Sequence, residues 1–176
     1  MWNQGNPEET VRRRPAHPPL VDMPQSENDL YASMCRFFDE EEWPYLAIEG
    51  ESAVKLSCTG NNGEWTCYSQ IREEPARFLF YSVYNAKALE PRRAAVAEFI
   101  TRVNYGMVLG NFEMDFTDGE IRYKTSAYLQ SLVPAKDFYH TLVYTNLLVT
   151  DKYLPGLMSV IYAGMAPEQA VDHAGG

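Results

Sequence analysis

The chain has 176 residues, of which 45% are hydrophobic and 22% charged, a composition typical of one folded domain. Its 24 acidic residues exceed its 15 Lys and Arg residues, and the resulting net charge of -9 argues against binding to nucleic acid or to an anionic membrane. The 3 cysteines form no C-x-x-C pair, so their spacing excludes a zinc ribbon and a disulfide framework.

The first 25 residues differ in composition from the rest. They are rich in proline and show no hydrophobic period, so we expect residues 1–25 to form a disordered or extended Pro/Arg-rich arm. The run Arg12–Arg14 is either a handle for an acidic partner or, as charge runs usually are, part of a solvated tail. The N-terminus lacks the apolar stretch of a signal peptide, so we expect a cytoplasmic protein.

A helix is predicted to begin at Ser26, which precedes acidic residues in the manner of a capping box, and to end near Phe38. The acidic segment Asp39–Glu42 follows at once. Because acids at a helix C-terminus oppose the helix macrodipole, we place this segment in the next loop. Residues 27–51 hold eight acids and one Arg, so they are the patch best suited to attract a basic partner.

Alternating or continuous apolar runs then predict four strands and a second helix. The strands are Tyr45–Glu49, Ser52–Thr59, Trp65–Arg72 and Arg77–Tyr84. The last of them is apolar on both faces, which indicates a central position in a sheet. The second helix begins at Pro91, a favoured first helical residue, and ends near Asn104.

Asp118-Gly119 is a two-residue turn signal that predicts a hairpin. Centring the turn there gives one apolar face and one face of paired opposite charges, which we expect to be solvent-exposed rather than an active site. The predicted cross-strand pairs are Phe116 with Ile121, Met114 with Tyr123, Asp115 with Arg122 and Glu113 with Lys124.

Asn62-Gly63 gives a second turn signal of the same kind. Its register places Cys58 opposite Cys67 and Leu56 opposite Ser69. Such a cysteine pair could form a cross-strand disulfide, or the two residues could be small buried thiols. The expected reducing compartment favours the thiols. Cys35 falls on the core side of the first helix and is expected to be inert.

The C-terminal third is predicted to be helical from Pro134. Pro155-Gly156 should interrupt this helix, a second short helix should end near Gly164, and a last turn should start at Pro167. Polar residues break the apolar run before it reaches the roughly 18–20 residues of a membrane span. The apolar stripe of the helix comprises Phe138, Tyr139, Leu142, Val143, Leu147 and Leu148.

The sequence carries no Gly-rich phosphate loop, no nucleophile elbow and no zinc-protease helix. His140 has Asp137 three residues before it and could be oriented as a base, but a lone histidine on a helix is more often a surface residue. Contiguous carboxylates without an interleaved glycine, as in the acidic segment, do not make a calcium loop. We therefore predict no catalytic residue, no metal and no cofactor.

Two stretches of the sequence resemble the YbjN domain family. Residues 104–113, followed by 118–123, are similar to its central signature, and residues 151–164, followed by 167–170, are similar to its end. The resemblance covers residues 26–172 as a single domain and leaves 173–176 as a tail. It implies an α+β fold of the order α-ββββ-α-ββ-α, with an antiparallel sheet of five to six strands and helices on one face, similar to type III secretion chaperones.

The resemblance also implies a homodimer and a role in sensory transduction, stress responses, motility or exopolysaccharide regulation, and it brings no catalytic residue. Our first hypothesis is therefore a non-enzymatic, chaperone-like adaptor for a protein partner. The alternatives are a small-molecule sensor with an apolar ligand between sheet and helices and, less favoured, a hydrolase or transferase using His140. The candidate partner-binding residues are Tyr153, Leu154, Leu157 and Tyr162, with Asp39, Glu40, Glu41 and Glu42 as a steering patch.

Overall fold

The computed structural model describes residues 25–72, 74–129 and 134–175. The predicted arm and its Arg12–Arg14 run lie almost entirely outside the described residues. The described part is an α+β fold, as predicted. Its elements are α1 (Gln25–Glu40), β1 (Leu46–Ala47), β2 (Ala53–Thr59), β3 (Glu64–Arg72), β4 (Arg77–Lys87), α2 (Glu90–Asn104), β5 (Asn111–Met114), β6 (Glu120–Tyr128), α3 (Lys136–Tyr162) and α4 (Pro167–Gly175).

The six strands form one antiparallel sheet in the order β1-β2-β3-β4-β6-β5. The central place predicted for the strand beginning at Arg77 is confirmed, since β4 lies between β3 and β6. The predicted strand Tyr45–Glu49 is reduced to the two residues of β1, which form one edge of the sheet.

Alternate residues of the strands point into a core that the helices cover. Phe38 of α1 is fully buried and its ring lies 6.4 Å from that of Phe80 on β4. Tyr139 of α3 is buried between Phe37 and Phe78, with ring centroids 5.7 and 5.1 Å away. These aromatic contacts join α1, the sheet and α3 into one core.

Helix α1 extends two residues beyond its predicted end near Phe38 and includes Asp39 and Glu40. The hydrogen bond from Glu41 N–H to the Phe37 oxygen, 3.0 Å long, continues the helical pattern. The prediction that these acids lie beyond the helix is wrong, because Lys136 of α3 approaches this end of α1 and offsets the acidic charge.

The β5–β6 hairpin is shifted by two residues from its predicted register. Met114 pairs with Ile121, Phe112 with Tyr123 and Glu113 with Arg122. The loop is longer than two residues because Asp115 closes it: its oxygen accepts the Gly119 N–H at 2.8 Å and its carboxylate accepts the Thr117 N–H at 2.7 Å. A shift of two preserves the faces, so the separation into apolar and charged sides is confirmed.

The β2–β3 hairpin is shifted in the same way. Its turn residues are Asn61 and Asn62, since Gly60 N–H donates to the Gly63 oxygen at 2.8 Å. Cys58 therefore lies opposite Trp65, and Cys67 opposite Leu56, so the predicted Cys58–Cys67 pair is wrong. Both cysteines, like Cys35, are free and buried, and burial raises the pKa of the Cys67 thiol well above its usual value.

Helix α3 is continuous over 27 residues, so Pro155 does not interrupt it as predicted. Proline lacks the N–H that would bond to the oxygen of Asp151, four residues earlier. Asn62 replaces that donor, since its Nδ2 lies 3.1 Å from the Asp151 backbone oxygen. The Asp151 carboxylate in turn accepts the N–H groups of Asn61 and Asn62, at 3.1 and 2.8 Å. The turn of one hairpin thus completes the hydrogen bonding of a helix far along the chain.

Helix α2 begins with Pro91 in its first turn and ends at Asn104, as predicted. Helix α4 packs on α2 and α3. Its contact with α3 is close at Gly156, where a Cβ atom would lie 2.8 Å from the backbone oxygen of Ala170. It continues through the predicted tail to Gly175. No helix in the described part of the chain is both long and apolar enough to span a membrane.

Candidate functional site

The outward side of α3 forms a long surface that the sheet does not cover. Its exposed and half-buried side chains recur every three or four residues, which places them on one face of the helix. At 1.5 Å per residue the surface is about 33 Å long. We call it the α3 ridge, and it consists of His140, Tyr144, Leu148, Lys152, Pro155, Ser159 and Tyr162.

Two large side chains with apolar surface are exposed on the α3 ridge. Leu148 is 56% exposed and Tyr162 is 70% exposed. Near the start of the ridge, the rings of His140 and Tyr144 stack with centroids 4.1 Å apart. Large apolar side chains aligned on one helix face are typical of a surface that packs against another element.

The acidic segment, Asp39–Glu42, lies beside the first turns of the ridge. Lys136 Nζ is 2.7 Å from a Glu41 oxygen and 3.5 Å from a Glu40 oxygen. The hydroxyl of Tyr144 donates to Glu41 at 2.7 Å. The tertiary structure therefore joins the acidic segment to one end of the ridge.

The four acids do not contribute equally to this surface. Glu41 has a side chain only 17% exposed, and the hydrogen bonds from Lys136 and Tyr144 hold the pKa of its carboxyl below the usual value. Asp39 accepts the hydroxyl of Tyr45 at 3.4 Å. Glu40 and Glu42 are exposed, so they present the charge that a partner would meet.

The predicted partner-binding residues divide into two groups. Leu157 is fully buried and Leu154 is 8% exposed, so neither lies on the surface, and that part of the prediction is corrected. Tyr153 is half-buried, with its ring 5.8 Å from that of Phe112. Tyr162 is exposed and belongs to the α3 ridge. Whether Tyr162 and the acidic segment bind a partner stays a prediction.

Sequence reasoning missed Leu148, which it placed on the buried stripe beside Leu147. Leu147 is 1% exposed and Leu148 is 56% exposed. The signal was available in the spacing, because Leu148 lies four residues after Tyr144 and four before Lys152, in phase with polar positions.

The central signature proves to be a structural joint. Asn104, at the end of α2, accepts the Phe112 N–H at 2.8 Å and donates to the Phe112 oxygen at 3.0 Å. Gly110 has a φ of 81°, and a side chain there would meet the Lys124 oxygen at 2.6 Å. Tyr123 donates its hydroxyl to the backbone oxygen of Leu109. These residues hold β5 against β6 and α2.

Histidine and acidic side chains do not assemble a metal site in the described residues: no group of three or more His, Cys, Asp or Glu could hold an ion there. A shallow groove lies between α2 and α4, and the ligand site between the sheet and the helices that belongs to the small-molecule alternative stays a prediction. The residues that line the groove are Thr101, Arg102, Tyr105, Glu168, Val171 and Asp172.

The sequence model of the YbjN family, described as "Putative bacterial sensory transduction regulator", matches residues 31–146. No curated protein matches the chain. Among solved structures, the chain is similar to YbjN from E. coli, which is described as a putative transcription regulator. The two are 10% identical, with a TM-score of 0.53 over 81% of this chain and 92% of the other, so the likeness concerns the fold.

Proposed function

The chain belongs to the YbjN family, and we propose that it is a non-enzymatic regulatory adaptor that binds a protein partner along the α3 ridge. The observation that carries this proposal is the exposure of Leu148 and Tyr162 in line on one helix face that adjoins the acidic segment. The regulatory role of such an adaptor, in stress responses or another signalling process, is part of the same proposal.

The chemistry of the ridge specifies the kind of partner. The ridge positions are spaced by three and four residues, and side chains with this spacing fit the grooves of a second helix. Glu40 and Glu42 at one end would attract basic side chains on that helix. The partner is therefore a basic amphipathic helix, whose apolar stripe covers Leu148 and Tyr162.

A photocrosslinking amino acid in place of Leu148 or Tyr162 tests this proposal in cells. The matched control replaces Val108, an exposed apolar residue on the loop between α2 and β5. We expect crosslinked adducts of one defined protein from the two ridge positions and none from Val108. The captured protein is then purified, and its affinity is measured directly against the wild type and Leu148→Glu, which should weaken binding at least about tenfold.

Adducts that form equally well from Val108, or an affinity unchanged by Leu148→Glu, would contradict the proposal. A decrease in affinity with added salt is also expected, because the acidic segment contributes attraction between exposed charges.

We also propose that the protein forms a homodimer. Static light scattering at micromolar concentration should give twice the mass of the chain. If two copies pair through the ridge, Leu148→Glu should yield monomers and the ridge adducts should contain two copies of this chain. A monomer mass for the wild type would contradict the dimer and leave the test of a separate partner unaffected.

A further inference from the structure

The face of the sheet opposite the core has a composition unlike that of the whole chain. Residues that alternate with the buried positions of β2, β3, β4 and β6 point to this side, which we call the open face. In the described part of the chain the helices pack on the other face, as the burial of Trp65, Phe80 and Tyr123 indicates. Among the described residues, the open face is therefore not covered by a helix.

A row of four side chains crosses the middle of the open face. Lys55 pairs with Tyr68, Tyr68 with Tyr81, and Tyr81 with Lys124. With strands about 4.8 Å apart, the row spans about 14 Å. The Arg122 guanidinium lies 4.7 Å from the centre of the Tyr81 ring. Two half-buried tyrosines thus lie side by side with cations at both ends.

The open face carries an excess of positive charge on an acidic protein. Its strands present six Lys or Arg side chains and three Glu side chains. Glu113 is already paired with both Arg122 and Lys124, and Lys87 is paired with Asp118 of the β5–β6 loop, whereas Lys55 and Arg72 are exposed. The six cationic residues are Lys55, Arg72, Arg77, Lys87, Arg122 and Lys124, and the acids are Glu64, Glu113 and Glu120.

The edges of the sheet are poor sites for an extended peptide, which would bind by adding a strand. At the β5 edge, Asn104 already bonds to both the N–H and the oxygen of Phe112. At the other edge, β1 has only two residues. A ligand of the open face would instead have to bind to its tyrosine rings and its Lys and Arg side chains.

Those groups match the two parts of a nucleotide. Tyrosine rings and guanidinium planes stack on bases, and Lys and Arg side chains pair with phosphates. We propose that the open face binds a single-stranded nucleic acid, with bases on Tyr68 and Tyr81 and phosphates at Lys55, Arg72 and Arg77. This site is separate from the α3 ridge, so the two proposals stand or fall independently.

The net charge of the chain predicts the opposite, because it averages over both sides of the molecule. The acids Glu40, Glu41 and Glu42 lie on the helical side, beside α3. Over the Debye length of about 8 Å at physiological salt, a phosphate at the open face meets mainly the charges of that face.

Fluorescence anisotropy with labelled oligonucleotides tests the site. The probes are oligouridine and oligothymidine of about 12 nucleotides and a DNA duplex of the same length. We expect both single strands to bind more tightly than the duplex, with affinity falling between about 50 and about 200 mM salt. Equal affinities for oligouridine and oligothymidine indicate that the site recognises base and phosphate alone. A higher affinity for oligouridine assigns the site to RNA.

Variants separate the two contributions. Tyr68→Leu/Tyr81→Leu keeps apolar bulk in the sheet and should weaken binding by about tenfold or more. Lys55→Ala/Arg77→Ala should reduce the slope of log affinity against log salt by about 1.4, for two lost phosphate contacts. Tyr105→Leu and Lys152→Ala, at an exposed loop and on α3, are the matched controls and should change neither quantity.

Far-UV circular dichroism verifies that each variant is folded. If Tyr68→Leu/Tyr81→Leu does not fold, Lys55→Ala/Arg77→Ala still tests the site. Absence of binding at low salt would overturn the proposal. So would affinity that the folded open-face variants leave unchanged, or competition by polyglutamate as effective as by oligouridine, since the face would then recognise acidic protein by charge alone.

Discussion

Single polar side chains connect the helices of this protein to its strands. Asn104 satisfies both outward backbone groups of Phe112, on the edge strand β5. Asn146 is fully buried in α3, and its amide donates to the Phe80 oxygen at 3.0 Å and to the Tyr123 oxygen at 3.2 Å. Because a buried polar group without a partner is costly, such residues fix one arrangement of helix and strand.

Asn104→Ala should destabilise the protein by about 1–3 kcal/mol, because Phe112 loses two hydrogen bonds and the edge of β5 opens. Urea unfolding measures the loss. Asn85→Ala is the control, since Asn85 is exposed and donates one bond to the Glu64 oxygen at 3.2 Å. Equal losses in the two variants would mean that the edge contact has no special role.

The Glu41 carboxylate should make stability depend on pH. Hydrogen bonds from Lys136 and Tyr144 lower its pKa in the folded state below the usual value of 4.5. The stability it contributes is therefore present above the usual pKa and is lost as the pH falls through the lowered, folded pKa. Glu41→Gln should have a lower melting temperature at neutral pH and a smaller further decrease between about pH 5 and about pH 3.

Glu42→Gln is the control for this experiment, because Glu42 is an exposed residue of the same segment. Its melting temperature should follow that of the wild type at every pH. If the melting temperatures of Glu41→Gln and the wild type changed in parallel with pH, the pKa of Glu41 would be the same in the folded and unfolded protein, which would contradict the prediction.

At the level of the elements, both hairpins keep their predicted faces but not their predicted turns. A turn signal locates a hairpin to within a few residues, whereas the register depends on what binds the turn. Asp151 of α3 binds the N–H groups of Asn61 and Asn62, and Asp115 closes the β5–β6 loop. Helix α3 is continuous for a related reason, since Asn62 supplies the donor that Pro155 lacks.

A double-mutant cycle tests this link between hairpin and helix. Asn62→Ala should cost about 1–2 kcal/mol, because the buried Asp151 oxygen loses its donor. In the Pro155→Ala background the cost should be about half or less, because the alanine that replaces the proline has a backbone N–H that can bond to that oxygen within the helix.

Urea unfolding of the four proteins gives the coupling free energy. Asn61→Ala is the control, since it alters the neighbouring turn residue and keeps both backbone N–H groups. Equal costs of Asn62→Ala in the two backgrounds would show that Asn62 does not support the proline-containing helix.

At the scale of the whole molecule, one aromatic core unites the helices with the sheet. Phe38 contacts Phe80 of the sheet and Trp43 of the following loop, with ring centroids 6.4 and 6.2 Å apart. Trp65 is buried in β3 and donates its indole N–H to Ser82 at 2.9 Å. Since α1 shares this core, we expect it to unfold together with the sheet.

Phe38→Ala should lower the free energy of unfolding by about 3–5 kcal/mol through loss of buried surface and formation of a cavity. Tryptophan fluorescence and far-UV circular dichroism should follow the same urea curve in the wild type and the variant. Phe116→Ala, at a residue 61% exposed, is the control and should change stability by less than about 0.5 kcal/mol. Loss of helix at lower urea than the change in fluorescence would contradict a single core.

The individual helices and strands followed from the sequence because the periodicity of apolar residues indicates which segments become helices and which become strands, and this needs only local spacing. The central place of β4, the helix beginning at Pro91 and the two faces of the β5–β6 hairpin all depend on such patterns. The resemblance to the YbjN family implied the fold class, an α+β domain with helices on one face of an antiparallel sheet.

The tertiary structure alone decided the hairpin registers, the continuity of α3 and the shape of the candidate surface. Each depends on contacts between residues far apart in the chain, such as Asp151 with Asn61 and Lys136 with Glu41. Exposure is likewise a property of the fold, which buries Leu157 and leaves Leu148 in solvent. The sum of charges was fixed by the sequence, but only the packing of helices on one face of the sheet separated an acidic side from a basic one.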